Sequence, residues 1–396
     1  MTKKHKILYV HHSGNLGGAP RSLSFLLDKL DHTLYETELL CISKGPGLKI
    51  FENRPFKVIV NERIFPFHGS TVSGMPVKLF LRNFLRAPQS FFAARQSIKK
   101  SNPDLIHLNS SSLFIVAIAA RSLKRNIKIV CHIREPLLEN SLSAWLIKTF
   151  CFFFVDQFIA IDKYSADSMK TRNNIQVIYN AVNFEDYNPS LKSDTIREQL
   201  KLPPRSILFL YLARFSPSNG TTSLLKVAQK LQAQHPDFVF VLAGYKPDSN
   251  DNYTKSIAKE ANDCPNVHLM AFTNDVPNLL ASCDILVVPF SEPHFARSVV
   301  EASAIAKPCI GTNIGGVNEI IVHEKTGFLY DNIEELSNYC ILLGGDKDLR
   351  ERMGDNAVAF AREHFDNKVN SAKIFLIYDE LLRTSSRDKI CIIDAT

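Results

Sequence analysis

Short β-rich runs alternate with longer helical stretches along the whole chain, and the pattern occurs twice. In the first half the runs fall at residues 7–10, 39–42, 58–60, 105–108, 127–131, 158–161 and 176–179. In the second half they fall at 207–213, 238–243, 267–271, 285–289 and 309–312. The segments between them have helical spacing, beginning with one at 21–30. Parallel strands need long crossovers, and crossover helices cover both faces of the sheet they serve. The chain therefore predicts an α/β protein with two doubly wound, Rossmann-like domains facing a central cleft.

The length of 396 residues agrees with two domains. We place the first at 1–188, the second at 189–369, and a C-terminal helix with its tail at 370–396. Asn188-Pro-Ser190 sets the break, ahead of a charged helix at 194–200 and of Leu202-Pro-Pro204. The last helix is amphipathic, with Ala372, Ile374, Phe375, Ile377, Tyr378 and Leu381 on one face. A composition of 45% hydrophobic and 22% charged residues excludes disorder and collagen-like repeats. The most apolar stretch, 142–161, is interrupted by Lys148 and Asp156, so a membrane-spanning helix is not expected. Eight cysteines form no Cys-x-x-Cys pair, which argues against a zinc ribbon. Met1 to His5 lead straight into a strand without a signal-peptide pattern, so a reduced, cytoplasmic setting is expected.

Ligands of open α/β sheets bind beyond the carboxyl ends of the strands. Three loops there carry chemistry. His11-His-Ser-Gly-Asn-Leu-Gly-Gly18-Ala-Pro20 follows a strand, and Gly14, Gly17 and Gly18 allow close backbone approach. It is either an anion-holding loop or a plain βα turn, and it lacks the dinucleotide fingerprint. Arg214, at the end of the 207–213 run, is either a diphosphate partner or a surface arginine. Glu292 and Glu301 flank the turn after the 285–289 run, and either carboxylate could hold vicinal hydroxyls or cap a helix. His107 reads as a buried histidine at a strand end, and His11 and His12 lie beside the glycine loop. Arg134 and Glu135 follow His132 and could either orient it or bind acceptor hydroxyls. Asp346-Lys-Asp348 precedes a helix and reads as a cap rather than a metal site.

No Asp or Glu occurs from Arg63 to Pro103, while seven Lys or Arg do. Lys78, Arg82 and Arg86 are four apart on one helical face; Val77, Phe80, Leu81, Phe84 and Leu85 form an apolar stripe. Either the stripe packs on the sheet and the basic face is solvated, or the helix lies on an anionic membrane.

Several segments, taken in order, resemble the family 4 (group 1) glycosyltransferases of the GT-B fold. They are Gly17-Gly18-Ala-Pro-Arg-Ser-Leu, Cys131-His132-Ile-Arg-Glu-Pro, Val177-Ile-Tyr-Asn-Ala-Val-Asn and Leu212-Ala-Arg214. Ser282-Cys-Asp-Ile-Leu-Val-Val-Pro-Phe, Glu301-Ala-Ser-Ala-Ile-Ala-Lys-Pro, Ile314-Gly-Gly-Val-Asn-Glu-Ile and Lys325-Thr-Gly-Phe-Leu complete the set. The resemblance implies retaining transfer of a sugar from a nucleotide-sugar, with no metal and no cofactor. It implies an acceptor-binding first domain, a donor-binding second domain, and a last helix returning to the first. Arg214 would bind the donor diphosphate, Glu301 the ribose, and Phe272 and Thr273 would lie at the base. Gly17 and Gly18 would lie beside the diphosphate and acceptor, His132 beside the donor hexose, and His11 toward the acceptor. The implied partners are a UDP- or GDP-sugar, a lipid-linked or oligosaccharide acceptor, and an anionic membrane surface, with no nucleic acid. Surface polysaccharide assembly is the implied pathway.

The chain departs from the family pattern at three places. Asn219 stands where the family has a second diphosphate-binding lysine, a contact worth about 1.5–3 kcal/mol; Arg297 is the candidate replacement. Glu292 and Glu301 are nine apart rather than eight; either the loop bulges by His294, or the first glutamate's role on the hexose passes to His294 and the amides of Phe295 and Ala296. Ala181 stands where glycine is common. These departures keep two alternatives open, a GT-B nucleotide-sugar epimerase and a degenerate glycosyltransferase that binds or scaffolds.

Overall fold

The computed structural model describes residues 4–70, 74–123, 126–170 and 174–393, with side chains through 383. The chain divides into two compact units, residues 1–180 with 367–396, and residues 181–366.

The first unit holds seven strands: β1 (His5–His11), β2 (Tyr35–Cys41), β3 (Lys57–Val60), β4 (Leu105–Leu108), β5 (Lys128–Ile133), β6 (Gln157–Ala160) and β7 (Ile175–Val177). They form one sheet in the order β3-β2-β1-β4-β5-β6-β7, with every neighbouring pair parallel. The order reverses between β1 and β4. Alternate residues of each strand face opposite layers. Ile7, Tyr9, Leu39 and Leu105 pack with Leu23, Leu26 and Leu27 of the helix Gly18–Asp28 and with Ile374, Ile377 and Tyr378 of the last helix. Leu8, Val10, Leu40 and Ile106 pack against Ala93, Ile98, Val116 and Ile147 on the other face. The last helix, Asn367–Ile393, thus completes the first unit's core.

The second unit holds six strands: β8 (Ile207–Leu212), β9 (Phe238–Tyr245), β10 (Val267–Ala271), β11 (Ile285–Val288), β12 (Cys309–Thr312) and β13 (Gly327–Tyr330). Their order is β10-β9-β8-β11-β12-β13, again all parallel, reversing between β8 and β11. The strand β13 is an addition to the five read from sequence. It is a short Gly-Phe-Leu-Tyr run without a long apolar signal, and it is fixed by pairing with β12.

The chain passes between the units at Asn180–Ala181, ahead of the proline-bearing stretch at 188–190, and returns at Asp366–Asn367. Val182 and Tyr187 are already buried in the second unit, where the Val182 N–H donates to Phe365 O at 2.9 Å. Asn367 Nδ2 donates to Phe25 O at 3.1 Å, within the first unit. Asp346 caps the helix Lys347–His364, its Oδ1 accepting from Leu349 N at 2.8 Å. Among the described residues no helix is long and apolar enough to cross a membrane.

Candidate active site

In the second unit, the loops after β8 and β11 meet where the strand order reverses. In open parallel sheets this is where the connections leave in opposite directions and where ligands bind. The Ser218 carbonyl accepts from the N–H groups of Ser291 (3.0 Å) and Glu292 (3.3 Å). The Ser291 hydroxyl donates to Pro217 O at 2.8 Å. Gly220 makes this approach possible. Its φ is +67°, and an added Cβ would lie 1.5 Å from Pro289 O. Gly220 and Ala296 are the N-caps of the helices Thr221–Leu231 and Arg297–Ala304; neither N-cap residue makes a side-chain cap bond, but at the first helix the Tyr253 hydroxyl accepts from Thr222 N at 3.3 Å. Uncapped helix starts present backbone N–H groups and the positive end of the helix dipole, the combination that attracts anions.

Arg214 stands exposed at the end of β8. Its carbonyl is held by the Tyr211 hydroxyl (2.8 Å) and by Asn219 Nδ2 (2.7 Å). Asn219 is therefore a structural residue, 5% exposed and turned onto the backbone of its own loop. Its Oδ1 is buried without a partner. His294 is half-buried, stacked on Phe290 at 4.1 Å, with Nδ1 on Glu292 O at 2.7 Å. Burial lowers its imidazole to about 4, and the positive charge of Arg214 acts in the same direction. The ring is thus neutral at pH 7. Gly316 lies against it: φ is +86°, and a Cβ would sit 2.6 Å from the His294 carbonyl carbon.

Glu301 is 3% exposed and accepts from Arg297 Nε at 2.9 Å, one helical turn away. Arg297 Nη2 also donates to Ala181 O at 3.1 Å. The guanidinium read from sequence as a substitute cation is thus engaged by a carboxylate and a carbonyl. Glu292 and Phe272 are exposed, Thr273 and Phe295 half-buried, and Ala296 buried. The Thr273 hydroxyl accepts from Asp275 N at 3.0 Å.

The first unit gathers a polar cluster at the carboxyl ends of β1, β4 and β5. His11 and His107 are fully buried and His132 nearly so. Asn109 Nδ2 donates to His11 Nδ1 at 2.9 Å. His107 Nδ1 shares a 2.7 Å hydrogen bond with the hydroxyl of Tyr378 on the last helix. The rings of His107 and His132 are 5.5 Å apart, and those of His11 and His12 4.9 Å. Both ring nitrogens of His132 are buried without a partner, as are His11 Nε2, His12 Nδ1 and His107 Nε2. Burial pushes His12 and His107 down to about 3, and His11 and His132 well below the usual histidine range. The guanidinium of Arg134 adds to all four shifts. These imidazoles are neutral, and those of His11 and His107 serve as hydrogen-bonding groups.

The guanidinium of Arg134 bonds two asparagines. It donates to Asn109 Oδ1 through Nε (3.1 Å) and Nη2 (2.6 Å), and to Asn180 Oδ1 through Nη1 (2.8 Å). Sequence reasoning missed His68, whose ring lies 6.5 Å from that of His12. Gly14 in the first loop is packed, because a Cβ there would meet Lys44 backbone at 2.4 Å. A Cβ at Gly17 would meet nothing within 4 Å, so that glycine faces open space.

The apolar stripe of the basic helix is for the most part not packed on the sheet. In Val77–Leu85 the buried residue is Asn83, whose Nδ2 donates to Pro66 O at 2.8 Å. Phe80 packs edge-on to Phe67 at 5.8 Å. Val77 is 73% exposed and Leu85 79%, with Leu81 and Phe84 also more than half exposed. Lys78, Arg82 and Arg86 are exposed beside them. Arg86 lies over the Phe65 ring at 5.0 Å. Four of the five stripe residues therefore face solvent, intermixed with the basic ones.

Comparison with known proteins gives consistent matches. The family described as glycosyl transferases group 1 matches residues 192–360, and glycosyltransferase family 4 matches residues 16–186. An Escherichia coli UDP-Gal:alpha-D-GlcNAc-diphosphoundecaprenol alpha-1,3-galactosyltransferase is 24% identical over 87% of this chain and 89% of its own. A Campylobacter jejuni N,N'-diacetylbacillosaminyl-diphospho-undecaprenol alpha-1,3-N-acetylgalactosaminyltransferase is 24% identical over 85% and 95%. Anabaena HepE, solved in complex with UDP and glucose, superposes with a TM-score of 0.77 at 23% identity, over 95% of this chain and 99% of its own. Sucrose-phosphate synthase from Thermosynechococcus elongatus gives 0.76 at 17% identity, over 96% and 100%. The two parallel-sheet units have the GT-B fold, and the chain belongs to the family 4, group 1 glycosyltransferases.

Proposed function

We propose that the protein is a retaining, metal-independent hexosyltransferase that uses a UDP- or GDP-sugar and a lipid-linked or oligosaccharide acceptor. The observation that carries this reading is the β8/β11 crossing, where exposed Arg214 follows β8 and the Glu301 helix starts at Arg297 without an N-cap side-chain bond. On this reading Arg214 and the helix-start amides bind the diphosphate. Glu301 holds the ribose, and Phe272 and Thr273 flank the base. Glu292, His294 and the amides of Phe295, Ala296 and Arg297 meet the sugar. From the first unit, Gly17 and Gly18 serve the diphosphate and acceptor, His132 the hexose and His11 the acceptor side.

The anomeric carbon–phosphate oxygen bond breaks while the acceptor oxygen bonds that carbon on the same face. The acceptor's proton passes to the departing phosphate. Positive charge at the leaving group lowers this barrier, since such preorganised groups need no reorganisation as charge develops. Arg214 and the amides supply it, so EDTA should leave transfer unchanged. Both curated relatives described above act on diphospho-undecaprenol-linked sugars, which supports a lipid-linked acceptor and a role in surface polysaccharide assembly.

An acceptor of that kind supports cytoplasmic, peripheral attachment at the inner membrane face. Lys78, Arg82 and Arg86 beside exposed Val77, Leu81, Phe84 and Leu85 form a surface suited to anionic lipid. Replacing the three basic residues by glutamate should abolish co-sedimentation with anionic vesicles; unchanged binding overturns the membrane contact.

The activity test is transfer of labelled sugar from UDP- and GDP-sugars to a diphospho-undecaprenol-linked sugar. Product with the donor's anomeric configuration supports the reading, and inversion overturns it. One observation favours a second reading, a binding protein without turnover: Asn219 is turned inward and adds no cation beside Arg214. Nucleotide binding without transfer to any acceptor extract would select it.

A further inference from the structure

The helix Leu142–Phe154 is apolar on both of its sides. Its inward side carries Ser143, Ala144, Ile147 and Cys151, all buried. Three contacts hold that side. The Ser143 hydroxyl donates to His68 O at 2.5 Å. A Cβ on Gly69 would come 2.9 Å from Ala144 N, so loop and helix touch closely there. Phe150 stacks on Phe114 with ring centroids 5.3 Å apart. At about 100° per residue, Leu142, Trp145, Thr149, Phe152 and Phe153 then share an outward arc about 100° wide. Leu142 is 61% exposed, Trp145 58%, Phe152 55% and Phe153 70%. A helix apolar all round is an enclosed helix, and the sheet side encloses only half of this one. A Trp or Phe side chain buries about 150–250 Å² when covered. The three rings therefore leave on the order of 300 Å² in the open, the size at which an apolar patch marks an interaction surface.

This patch adjoins the basic helix Val77–Leu85. The Ser143 hydroxyl also reaches the sulfur of Met75 at 3.5 Å, two residues before Val77, so the two helices start beside one another. The rings of Phe80, Phe67, Phe114 and Phe150 connect their inner sides, at 5.8, 5.4 and 5.3 Å. The charge around them is one-sided. From Arg63 to Val155 thirteen Lys or Arg stand against three Asp or Glu, an excess of ten where the whole chain has seven. Neither helix contains an acidic residue. That charge selects what covers the patch. In a symmetric dimer through this face the basic residues of one copy would meet those of the other, and like charges oppose such a contact. An anionic bilayer supplies the counter-charge at its surface and hydrocarbon beneath it, and tryptophan suits the boundary between the two.

We propose that Leu142–Phe154 is a membrane-insertion helix, whose outward Trp145, Phe152 and Phe153 enter the acyl boundary of an anionic bilayer beside the basic helix Val77–Leu85. The inference rests on the membrane contact proposed above and adds the element that carries its hydrocarbon part. The division of labour follows from composition. Lys78, Arg82 and Arg86 are exposed and meet headgroups. The outward arc of Leu142–Phe154 has no charged residue, its Lys148 being half-buried at the edge. Electrostatic attraction brings the face to the surface, and the rings hold it there once salt screens the charges.

Trp145 is the only tryptophan of the chain, so its fluorescence reports on this helix alone. The test uses full-length protein with vesicles of mixed phosphatidylcholine and phosphatidylglycerol, with and without brominated acyl chains. In the wild type, vesicles should move the emission to shorter wavelength, and brominated chains should quench it. Phe152→Ser/Phe153→Ser changes two exposed residues and should lower vesicle affinity at least about tenfold. Quenching in the wild type decides the question alone if that variant does not fold. Co-sedimentation of the wild type with Trp145 neither shifted nor quenched overturns the insertion helix and leaves the basic helix as the membrane contact. Vesicle affinity unchanged in the folded double variant also overturns it. An emission shift that grows with protein concentration in the absence of vesicles overturns it too, in favour of a second copy on the patch. A wild type that does not co-sediment with these vesicles overturns both the membrane contact and the inference.

Discussion

The Arg297–Glu301 pair separates fold from function within one site. Both side chains are nearly enclosed, at 14% and 4% side-chain exposure, with 2.9 Å between Nε and Oε1. Arg297→Leu takes the guanidinium from a carboxylate that water scarcely reaches and also removes a donor from Ala181 O. Breaking one side of a buried pair costs about 3–5 kcal/mol, because the remaining charge stays desolvated. For a unit of this size that is on the order of 10 °C in Tm. Glu301→Leu should cost a similar amount. The double variant Arg297→Leu/Glu301→Leu should recover most of it, to within about 1 kcal/mol of wild type, since apolar replacement of a whole buried pair is often neutral. Urea unfolding of the four proteins gives the cycle, and UDP calorimetry on the same samples gives function. The double variant should be folded and unable to bind UDP. A single-variant loss under about 1 kcal/mol would mean the pair is effectively solvated, and would refute the reasoning. UDP binding by the double variant would refute the role of Glu301.

Other consequences can be checked in the same way. Gly220→Ala puts a methyl 1.5 Å from Pro289 O in a left-handed backbone. The conformation alone costs about 1–2 kcal/mol, and the β8 and β11 loops must part, so nucleotide binding should fall with stability. Tyr378→Phe removes the hydroxyl on the buried His107 Nδ1 and should cost about 1–3 kcal/mol in urea unfolding. His107 is held down to about 3 by burial, so the unfolded chain takes up its proton first as pH falls below the ordinary 6.5. Its stabilising contribution is complete above pH 6.5 and is lost toward pH 3, by about 2 kcal/mol between pH 6.5 and 5. Stability that stays flat over that interval contradicts the buried, neutral assignment.

The alternation of strands and helices was legible because buried parallel strands read as continuous apolar runs, as in Leu105–Leu108 and Ile285–Val288. Gly327–Tyr330 was not, since its strand character comes from pairing with β12 rather than from its own composition. The places of Arg214, just past β8, and of Glu301, on the helix after β11, were legible in the sequence. The engagements of Asn219, Arg134 and Arg297 could not. Asn219 reaches its own loop backbone, which a side-chain identity does not specify. Arg134 bonds Asn109 and Asn180, residues 25 and 46 positions away that only the fold brings near. The helix Val77–Leu85 has a regular apolar period, yet Asn83 is its buried anchor, because Pro66 offers a carbonyl where the helix lands. Period alone does not say which face meets the protein.

Thermal unfolding with UDP, GDP and ADP, each with and without EDTA, on wild type and Arg214→Ala, tests whether the β8/β11 crevice holds a nucleotide diphosphate. A ligand at a hundred times its dissociation constant adds about 2.7 kcal/mol, several degrees in Tm. The expected result is a rise with one diphosphate, unaffected by EDTA and lost in Arg214→Ala. A wild type that no diphosphate stabilises, or a rise that Arg214→Ala retains in full, would contradict the assignment of this crevice as the donor site.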